Sequence, residues 1–158
     1  MTPISQVIFV AFLVCSGAAS LAAPSDTLLM LRPVADSEQP KLLIEKKGRT
    51  IVFFLEDRSV PSNRILQLLR STPVSSNNLL LVVRGPVPAL DRLRKLNSRI
   101  ENAEWHAEAE ILNLESLDLA SWPAVVAFEN GSIAWRWLGV TDSPKDLKNM
   151  IDSWLAAP

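Results

Sequence analysis

Cysteine is almost absent from this chain, which contains one, Cys15, among its 158 residues. Thiol–disulfide exchange needs a thiolate, and a structural disulfide needs two cysteines. Because Cys15 lies in an N-terminal segment that we expect to be removed, the remaining chain would hold no cysteine at all. We therefore expect a protein without redox-active sulfur. Its stability must come from a hydrophobic core, which a domain of this length can supply.

The short motifs that mark common enzymes and metal sites are also absent. The sequence has no Gly-x-Ser-x-Gly elbow, phosphate-binding loop, dinucleotide fingerprint or His-Glu-x-x-His. The single histidine, His106, stands among glutamates, namely Glu104, Glu108 and Glu110. One histidine in such a stretch is insufficient for a metal site, and the pattern favours a solvated helix face or a loop. We expect no catalytic residue, no metal and no cofactor.

Charge of one sign does not dominate the chain, whose formal net charge is −1 at pH 7. No strongly basic surface is implied, so nucleic acid is not expected as a partner. The first six residues contain no lysine or arginine. The composition, 48% hydrophobic and 21% charged, suits a globular domain with a core.

The first 22 residues are typical of a secretory leader. An apolar run covers 7–14, small residues follow it, and Ser20-Leu21-Ala22 fits the small-x-small rule for cleavage after Ala22. The apolar run is too short to span a bilayer comfortably. The sequence therefore predicts a signal peptide at 1–22, secretion, and no stable membrane insertion once the leader is removed.

Three continuous apolar runs, at 50–55, 79–83 and 124–128, are typical of strands covered on both faces. Apolar residues at helical spacing lie between them, at 62–71 and 87–100. These stripes consist of Ile65, Leu66, Leu68 and Leu69 in the first segment and Leu90, Leu93, Leu96 and Ile100 in the second. The alternation of strands and helices predicts a parallel βαβ unit.

The stretch before this unit is specified less clearly. Residues 27–31 could form a first strand, 33–40 are polar and suggest a loop, and 41–47 could form a short helix or an extended arm. We therefore assign 23–48 to an N-terminal strand or arm, followed by one domain at 49–158.

The C-terminal third has the strongest local signals. Asn130-Gly131 indicates a tight hairpin turn, because both residues can adopt positive φ, and 133–138 would be the returning strand. Ser143 and Pro144 mark the start of a helix. Its apolar face consists of Leu147, Met150, Ile151, Trp154 and Leu155.

Two tryptophans in the returning strand, Trp135 and Trp137, point to one face because strand residues alternate. They either pack in the core or form an exposed aromatic pair that marks a partner site. The segment 123–139 resembles the last third of a thioredoxin. A βαβ unit followed by a ββα unit gives the predicted fold, an α/β thioredoxin-like domain with a central mixed sheet and flanking helices.

The first candidate site element lies between the strand 50–55 and its helix, where a thioredoxin holds Cys-x-x-Cys. Here the sequence is Arg58-Ser59-Val60-Pro61-Ser62-Asn63. A serine hydroxyl is too weak an acid to replace a thiolate. The helix N-terminus itself could still bind a carboxylate or a backbone carbonyl. Alternatively, Ser59 or Ser62 merely caps the helix and Pro61 starts it.

The second element is Trp122-Pro123. In thioredoxin folds a proline here is cis, faces the helix start, and lets the preceding residue offer backbone groups to an extended peptide. That resemblance would place Trp122 beside Val60 and Pro61. The alternative is a buried tryptophan that fills the core. The sequence itself leaves the isomer of this bond open.

Three short motifs resemble the TrbC family of pilus-assembly proteins from F-type conjugative type IV secretion systems: Ser59-Val60-Pro61, Arg84-Gly85 and Pro123-Ala124. The resemblance implies a periplasmic thioredoxin-like protein without redox activity, acting in pilin processing, pilus assembly or stabilisation of the secretion channel. It implies TraW-like periplasmic partners and other channel components. Arg84 would end a central parallel strand, where α/β folds present ligands. It could anchor the neighbouring loop or bind a partner's carboxylate.

The leading interpretation is a non-enzymatic protein-binding module. Its predicted partner-binding residues are Ser59, Val60, Pro61, Ser62, Asn63, Arg84, Trp122 and Pro123. Two alternatives come from other classes. One is a thioredoxin-like envelope oxidoreductase relative or chaperone, and the other is a structural subunit of an envelope complex with no groove function.

Overall fold

The structure is a computed structural model that describes residues 29–33, 39–44, 47–71, 79–86, 88–100, 103–139 and 144–156. The strands are β1 Met30–Leu31, β2 Lys41–Leu42, β3 Arg49–Glu56, β4 Leu79–Arg84, β5 Ala103–Ala107, β6 Ile111–Leu112, β7 Ala124–Glu129 and β8 Ser132–Leu138. The helices are α1 Val60–Ser71, α2 Pro88–Leu96 and α3 Pro144–Ala156. Two short 3₁₀ turns lie at Glu108–Glu110 and Leu114–Leu117. The predicted leader with Cys15, and the helix cap Ser143, lie outside the described residues.

The central sheet has five strands in the order β5-β4-β3-β7-β8. β3 pairs in parallel with β4 and antiparallel with β7, so Phe53 lies between Leu81 and Val125. β4 is parallel to β5, and β7 is antiparallel to β8. This arrangement confirms the predicted mixed sheet with a βαβ unit followed by a ββα unit.

Both faces of the sheet are covered, which explains the continuous apolar run of β3. Phe53 and Leu55 belong to a first core cluster that includes the buried residues of α1, α2 and α3. Val52 and Phe54 belong to a second cluster on the opposite face. A small sheet in the order β2-β1-β6 covers the second cluster. Full burial of a valine, leucine or phenylalanine side chain, as in β3, stabilises a fold by about 1.5–3 kcal/mol.

The segment 23–48 packs into the domain where it is described. β1 pairs antiparallel with β2 and with β6, and Leu29 and Ile44 are buried in the second cluster. Of the two readings of 41–47, the extended one holds for β2. The predicted first strand is limited, within the described residues, to Met30–Leu31.

β5 corrects the sequence analysis in two ways. α2 leads into this strand rather than directly to β7, so β7 joins the sheet antiparallel to β3. His106, expected on a solvated helix face or in a loop, lies in β5 and is 8% exposed. The sequence Ala-Glu-Trp-His-Ala conceals a strand, because only Trp105 adds a large apolar side chain to the first cluster.

The helices follow their predicted stripes with one exception. Ile65, Leu66 and Leu69 of α1 are buried, but Leu96 at the end of α2 is 66% exposed. Ile100 reaches the core from the turn that follows α2, where its N–H donates to the carbonyl of Asn97 at 2.9 Å. The predicted stripe fails at Leu96 because the chain leaves the helix there.

The C-terminal third agrees with its local signals. Asn130 and Gly131 have φ values of 53° and 82°, as the predicted hairpin turn requires. α3 begins at Pro144 and buries Leu147 and Ile151. Trp135 and Trp137 are partly buried and pack against the first cluster, so they contribute to the core. No described helix is long and apolar enough to cross a membrane.

Candidate functional site

All the predicted partner-binding residues lie at one edge of the central sheet. β3 and β4 are parallel and end together, since Glu56 pairs with Arg84. β7 runs the other way and begins at the same edge, where Ala124 pairs with Phe54. α1 starts four residues beyond the end of β3, and Trp122-Pro123 immediately precedes β7. We call the surface formed by Ser59–Asn63 and Trp122-Pro123 the α1 edge.

The two serines of the α1 edge have structural roles at the start of the helix. The hydroxyl of Ser59 accepts a hydrogen bond from the N–H of Ser62 at 3.4 Å, and its carbonyl accepts one from Asn63 at 3.0 Å. These contacts make Ser59 the N-cap residue. The hydroxyl of Ser62 accepts from the N–H of Glu56 at 2.9 Å. The capping alternative is therefore present, with Val60 rather than Pro61 as the first helical residue.

The same serines occupy the spacing of a Cys-x-x-Cys motif at a helix N-terminus. Ser59 precedes the helix at its open end, whereas Ser62 is buried one turn later. A thiol at such a position is activated by the helix dipole, but a hydroxyl does not ionise at physiological pH. Between them, the side chain of Val60 is 64% exposed. The α1 edge therefore offers a helix terminus and an apolar side chain where a thioredoxin carries a thiolate.

The Trp122-Pro123 bond is cis. The ring of Pro123 is buried, and its carbonyl accepts a hydrogen bond from the N–H of Gly139 at 2.8 Å. Within the described ranges, no hydrogen bond engages the backbone N–H or C=O of Trp122. Buried backbone polar groups normally have partners within the protein, whereas accessible ones bind water that a partner chain can replace. The peptide groups of Trp122 are therefore available to pair with an extended chain.

The side chain of Trp122 corrects the expectation that it lies beside Val60 and Pro61. Its ring meets Phe54 edge-on, with centroids 5.4 Å apart, and packs against the second core cluster. α1 covers the opposite face of the sheet. The packing partners account for this position, because Phe54 of β3 and Ala124 at the start of β7 both belong to the second cluster. Trp122 and Val60 thus share an edge of the sheet but not a face.

The guanidinium of Arg84 lies over the indole ring of Trp122. Its Cζ lies 4.0 Å from the ring centroid of Trp122, close enough for a cation–π contact. Its Nε donates to both carboxylate oxygens of Glu108 at 3.0 Å, and Nη2 donates to Oε1 at 2.8 Å. The hydrogen bonds from Arg84 to Glu108 raise the pKa of the guanidinium. The loop-anchoring alternative is therefore present, and a partner's carboxylate would have to compete with Glu108.

A second ion pair supports the turn before α1. The carboxylate of Asp57 is 8% exposed and pairs with Arg92 of α2. The hydrogen bond from Arg92 lowers the pKa of Asp57, against the opposing effect of burial. Gly85 follows Arg84 and approaches this carboxylate, since a Cβ there would lie 2.9 Å from the Cβ of Asp57. The Arg84-Gly85 motif therefore needs its glycine for close packing.

Sequence reasoning missed Glu108, Asp57 and Arg92 as supports of the site. Arg84 and Glu108 are 24 residues apart, and their contact depends on the strand β5 that the sequence concealed. Asp57 and Arg92 are joined across 35 residues. The sequence offered only their positions as evidence of a role at the site. Asp57 immediately follows the buried strand β3, and Glu108 lies two residues after His106.

The histidine cluster has no metal-binding geometry. Nε2 of His106 lies 3.1 Å from Oε1 of Glu104, without the alignment of a hydrogen bond, and Nδ1 lies 3.3 Å from Oε2 of Glu110. Because opposite nitrogens of one ring face the two carboxylates, the three side chains do not converge on one point. No group of three potential ligands suited to a metal ion occurs among the residues described.

No protein-family model matches the sequence, and no curated protein matches it. The resemblance to the TrbC family therefore remains a hypothesis. Several solved structures, however, are similar to the whole fold.

A secreted disulfide oxidoreductase of Mycobacterium tuberculosis, homologous to E. coli DsbE, matches 81% of this chain and 97% of its own, with a TM-score of 0.59 and 10% identity. The thioredoxin domain of a thiol-disulfide oxidoreductase from Bacteroides vulgatus matches 86% and 99%, with a TM-score of 0.58 and 16% identity. A putative thioredoxin from Neisseria meningitidis matches 84% and 93%, with a TM-score of 0.57 and 14% identity. The fold of this chain is therefore thioredoxin-like.

Proposed function

We propose that this protein binds an extended segment of another protein at the α1 edge and performs no thiol chemistry there. The observation that carries this proposal is the free peptide group of Trp122, which precedes a cis proline at the edge where α1 begins. An extended chain could pair with this group and place an apolar side chain against Val60. The partner-binding set is Ser59, Val60, Pro61, Ser62, Asn63, Arg84, Trp122 and Pro123.

Within this set the side chains have different tasks. Ser59 and Ser62 hold the helix start in place, and Arg84 fixes the ring of Trp122 through the cation–π contact. Pro123 is buried immediately before β7 and so fixes the position of the Trp122 peptide group. Val60 is the exposed apolar residue of the set, with 64% of its surface open to a partner.

We further propose that the protein works outside the cytoplasm, in the periplasm, in a conjugative type IV secretion or pilus-assembly system. The leader-like segment at 1–22 supports export, and one similar structure is described as secreted. The motifs Ser59-Val60-Pro61, Arg84-Gly85 and Pro123-Ala124, which resemble the TrbC family, support the conjugation role. TraW-like proteins and other channel components are the partners that this role implies.

A photo-crosslinking amino acid at position 60 tests the binding surface. Expressed in cells that carry the complete transfer apparatus, it should crosslink to a periplasmic protein of the same operon. Position 67 is a matched control, because Gln67 is also exposed on α1 but lies two turns from the edge. Crosslinks of equal yield at both positions, or none at position 60 in a folded protein, would contradict the proposal.

The second candidate function is that of an envelope oxidoreductase relative or chaperone. The similar structures favour it, since several are thiol-disulfide oxidoreductases. An insulin-reduction assay with dithiothreitol separates the two candidates. A non-redox binding protein leaves the rate of insulin precipitation at the background level set by dithiothreitol alone. An oxidoreductase relative would raise the rate above that background, which without a cysteine in the remaining chain would require a bound thiol cofactor.

A further inference from the structure

β5 is an edge strand of the central sheet. Its five residues pair with β4 on one side, and no other described strand pairs with the opposite side. An edge strand presents a row of unpaired N–H and C=O groups that can accept a further strand. This side of the sheet runs along β5, whereas the α1 edge lies at the end of β3 and the start of β7, so the two are different surfaces.

A groove of about 470 Å³ runs beside β5 on the face that carries α2. Its floor includes Trp105 and Ile100, which are almost fully buried. Its rim is formed by one face of α2, from which Asp91, Arg94 and Lys95 contribute charged groups. Among the residues described, neither Arg94 nor Lys95 has an ion-pair partner. The groove therefore combines an apolar floor with a rim of net positive charge.

The opposite face of β5 carries the opposite charge. Because strand residues alternate, Glu104 and His106 point away from the groove that Trp105 lines. Glu110 joins them, with its Oε2 3.3 Å from Nδ1 of His106. The carboxylates of Glu104 and Glu110 are both more than half exposed. The two faces of this edge strand thus differ in sign.

We propose that β5 is a docking edge for an extended strand of a protein partner whose side chains alternate in charge. Residues of the partner that face the groove are acidic beside Arg94 and Lys95 and apolar over Trp105. Residues that face the other side are basic beside Glu104 and Glu110. Main-chain hydrogen bonds between β5 and the partner strand provide the affinity. The alternating charges determine which partner binds, in which register, and which face of its strand meets the groove.

A second copy of the chain fits this edge less well. Two copies paired through β5 would bring the cationic rims of both grooves towards each other, and like charges in proximity are destabilising. A different polypeptide, with acidic residues facing the groove, meets both faces with complementary charge.

Two peptides of identical composition test the charge pattern. Thr-Glu-Lys-Val-Lys-Glu-Thr places acids and the valine on the groove face and lysines on the other face. Thr-Lys-Glu-Val-Glu-Lys-Thr reverses every charge. Each peptide carries a fluorescent label and is titrated up to millimolar concentration with protein expressed from its full-length gene. Amide NMR shifts locate the bound peptide.

The first peptide should bind about tenfold more tightly than the second, because several cross-strand charge pairs change sign together. Its largest shifts should fall in residues 103–107. The double variant R94E/K95E should reverse or abolish the preference, and since both side chains are exposed, the fold should be retained. Its thermal unfolding checks this point.

Four results would overturn the proposal: equal affinities for the two peptides, no binding of either, shifts centred on another surface, or a preference that survives R94E/K95E. Dimerisation through β5 in sedimentation would assign the edge to a second copy and also refute it. None of these results bears on crosslinking at position 60, so this proposal and the function proposed for the α1 edge can fail separately.

Discussion

The ion pair of Arg84 and Glu108 should stabilise the domain measurably, although it lies near the surface. Three nitrogen–oxygen contacts of 2.8–3.0 Å join the two groups. The side chains are 43% and 31% exposed, so solvent weakens the pair. Exposed pairs contribute about 0–1 kcal/mol, and hydrogen bonds to charged groups about 1.5–3 kcal/mol. Because Arg84 binds Glu108 through two nitrogens and both side chains are partly buried, we expect a coupling free energy between these two ranges, about 1–2 kcal/mol.

A double-mutant cycle measures this coupling. The variants are R84Q, E108Q and the combination, each unfolded with urea. A matched control is the pair Lys148 and Asp152 on α3, which is about as exposed but spaced one helical turn apart. Such helical pairs contribute about 0.3–0.5 kcal/mol. The R84Q variant should also lose about 4 °C in Tm for each kcal/mol.

The measurement refutes the reasoning if the coupling of Arg84 and Glu108 does not exceed that of Lys148 and Asp152. In 1 M salt the coupling should decrease, because both groups remain partly accessible to counterions.

Three further perturbations address the turn and the helix start. G85A should lower the free energy of unfolding by about 1–3 kcal/mol, because the added Cβ would lie 2.9 Å from the Cβ of Asp57. G48A is the control, since Gly48 also has positive φ but open space around it, and this variant should lose less stability. Folding lowers the pKa of Asp57. Its contribution to stability is therefore present above the usual aspartate pKa of about 4 and is lost as pH falls through the lowered value. D57N should flatten the dependence of unfolding free energy on pH in that acid range, and an unchanged dependence would refute this. The double variant S59C/S62C should form a disulfide at the helix start under oxidation, and after reduction by dithiothreitol its two thiols should transfer electrons to insulin and return to the disulfide. Neither single variant should do this, and two thiols that stay unpaired under oxidation would count against the Cys-x-x-Cys-like geometry of the two serines.

The main strands and helices could be predicted because their side chains report burial directly. The apolar runs of β3, β4 and β7 predict strands covered on both faces, and Asn130-Gly131 specifies its hairpin through positive φ. The edge strand β5 could not be found in this way. Only one of its faces meets the first core cluster, and its central residues, Glu104 to His106, alternate in a pattern too short to distinguish from a loop.

The details of the site depended on information that local patterns do not carry. The location of the α1 edge followed from the order of strands and helices. The direction of the Trp122 ring depended instead on which residues of β7 face the second cluster. The partner of Arg84 depended on the register of β5 against β4. Local propensity and periodicity do not fix such long-range pairings.

The pairing of β1 with β6 has a consequence for the order of folding. Met30 meets Leu112 in this small sheet, so one of the first described residues waits for a strand that emerges from the ribosome or translocon some 80 residues later. Until then the side of β3 that carries Val52 and Phe54 has no complete cover, and its apolar surface is open to solvent or to a chaperone. The cover of this face therefore requires the beginning of the chain to join its middle, and a nascent chain arrested before β6 would leave the apolar side of β3 open to aggregation.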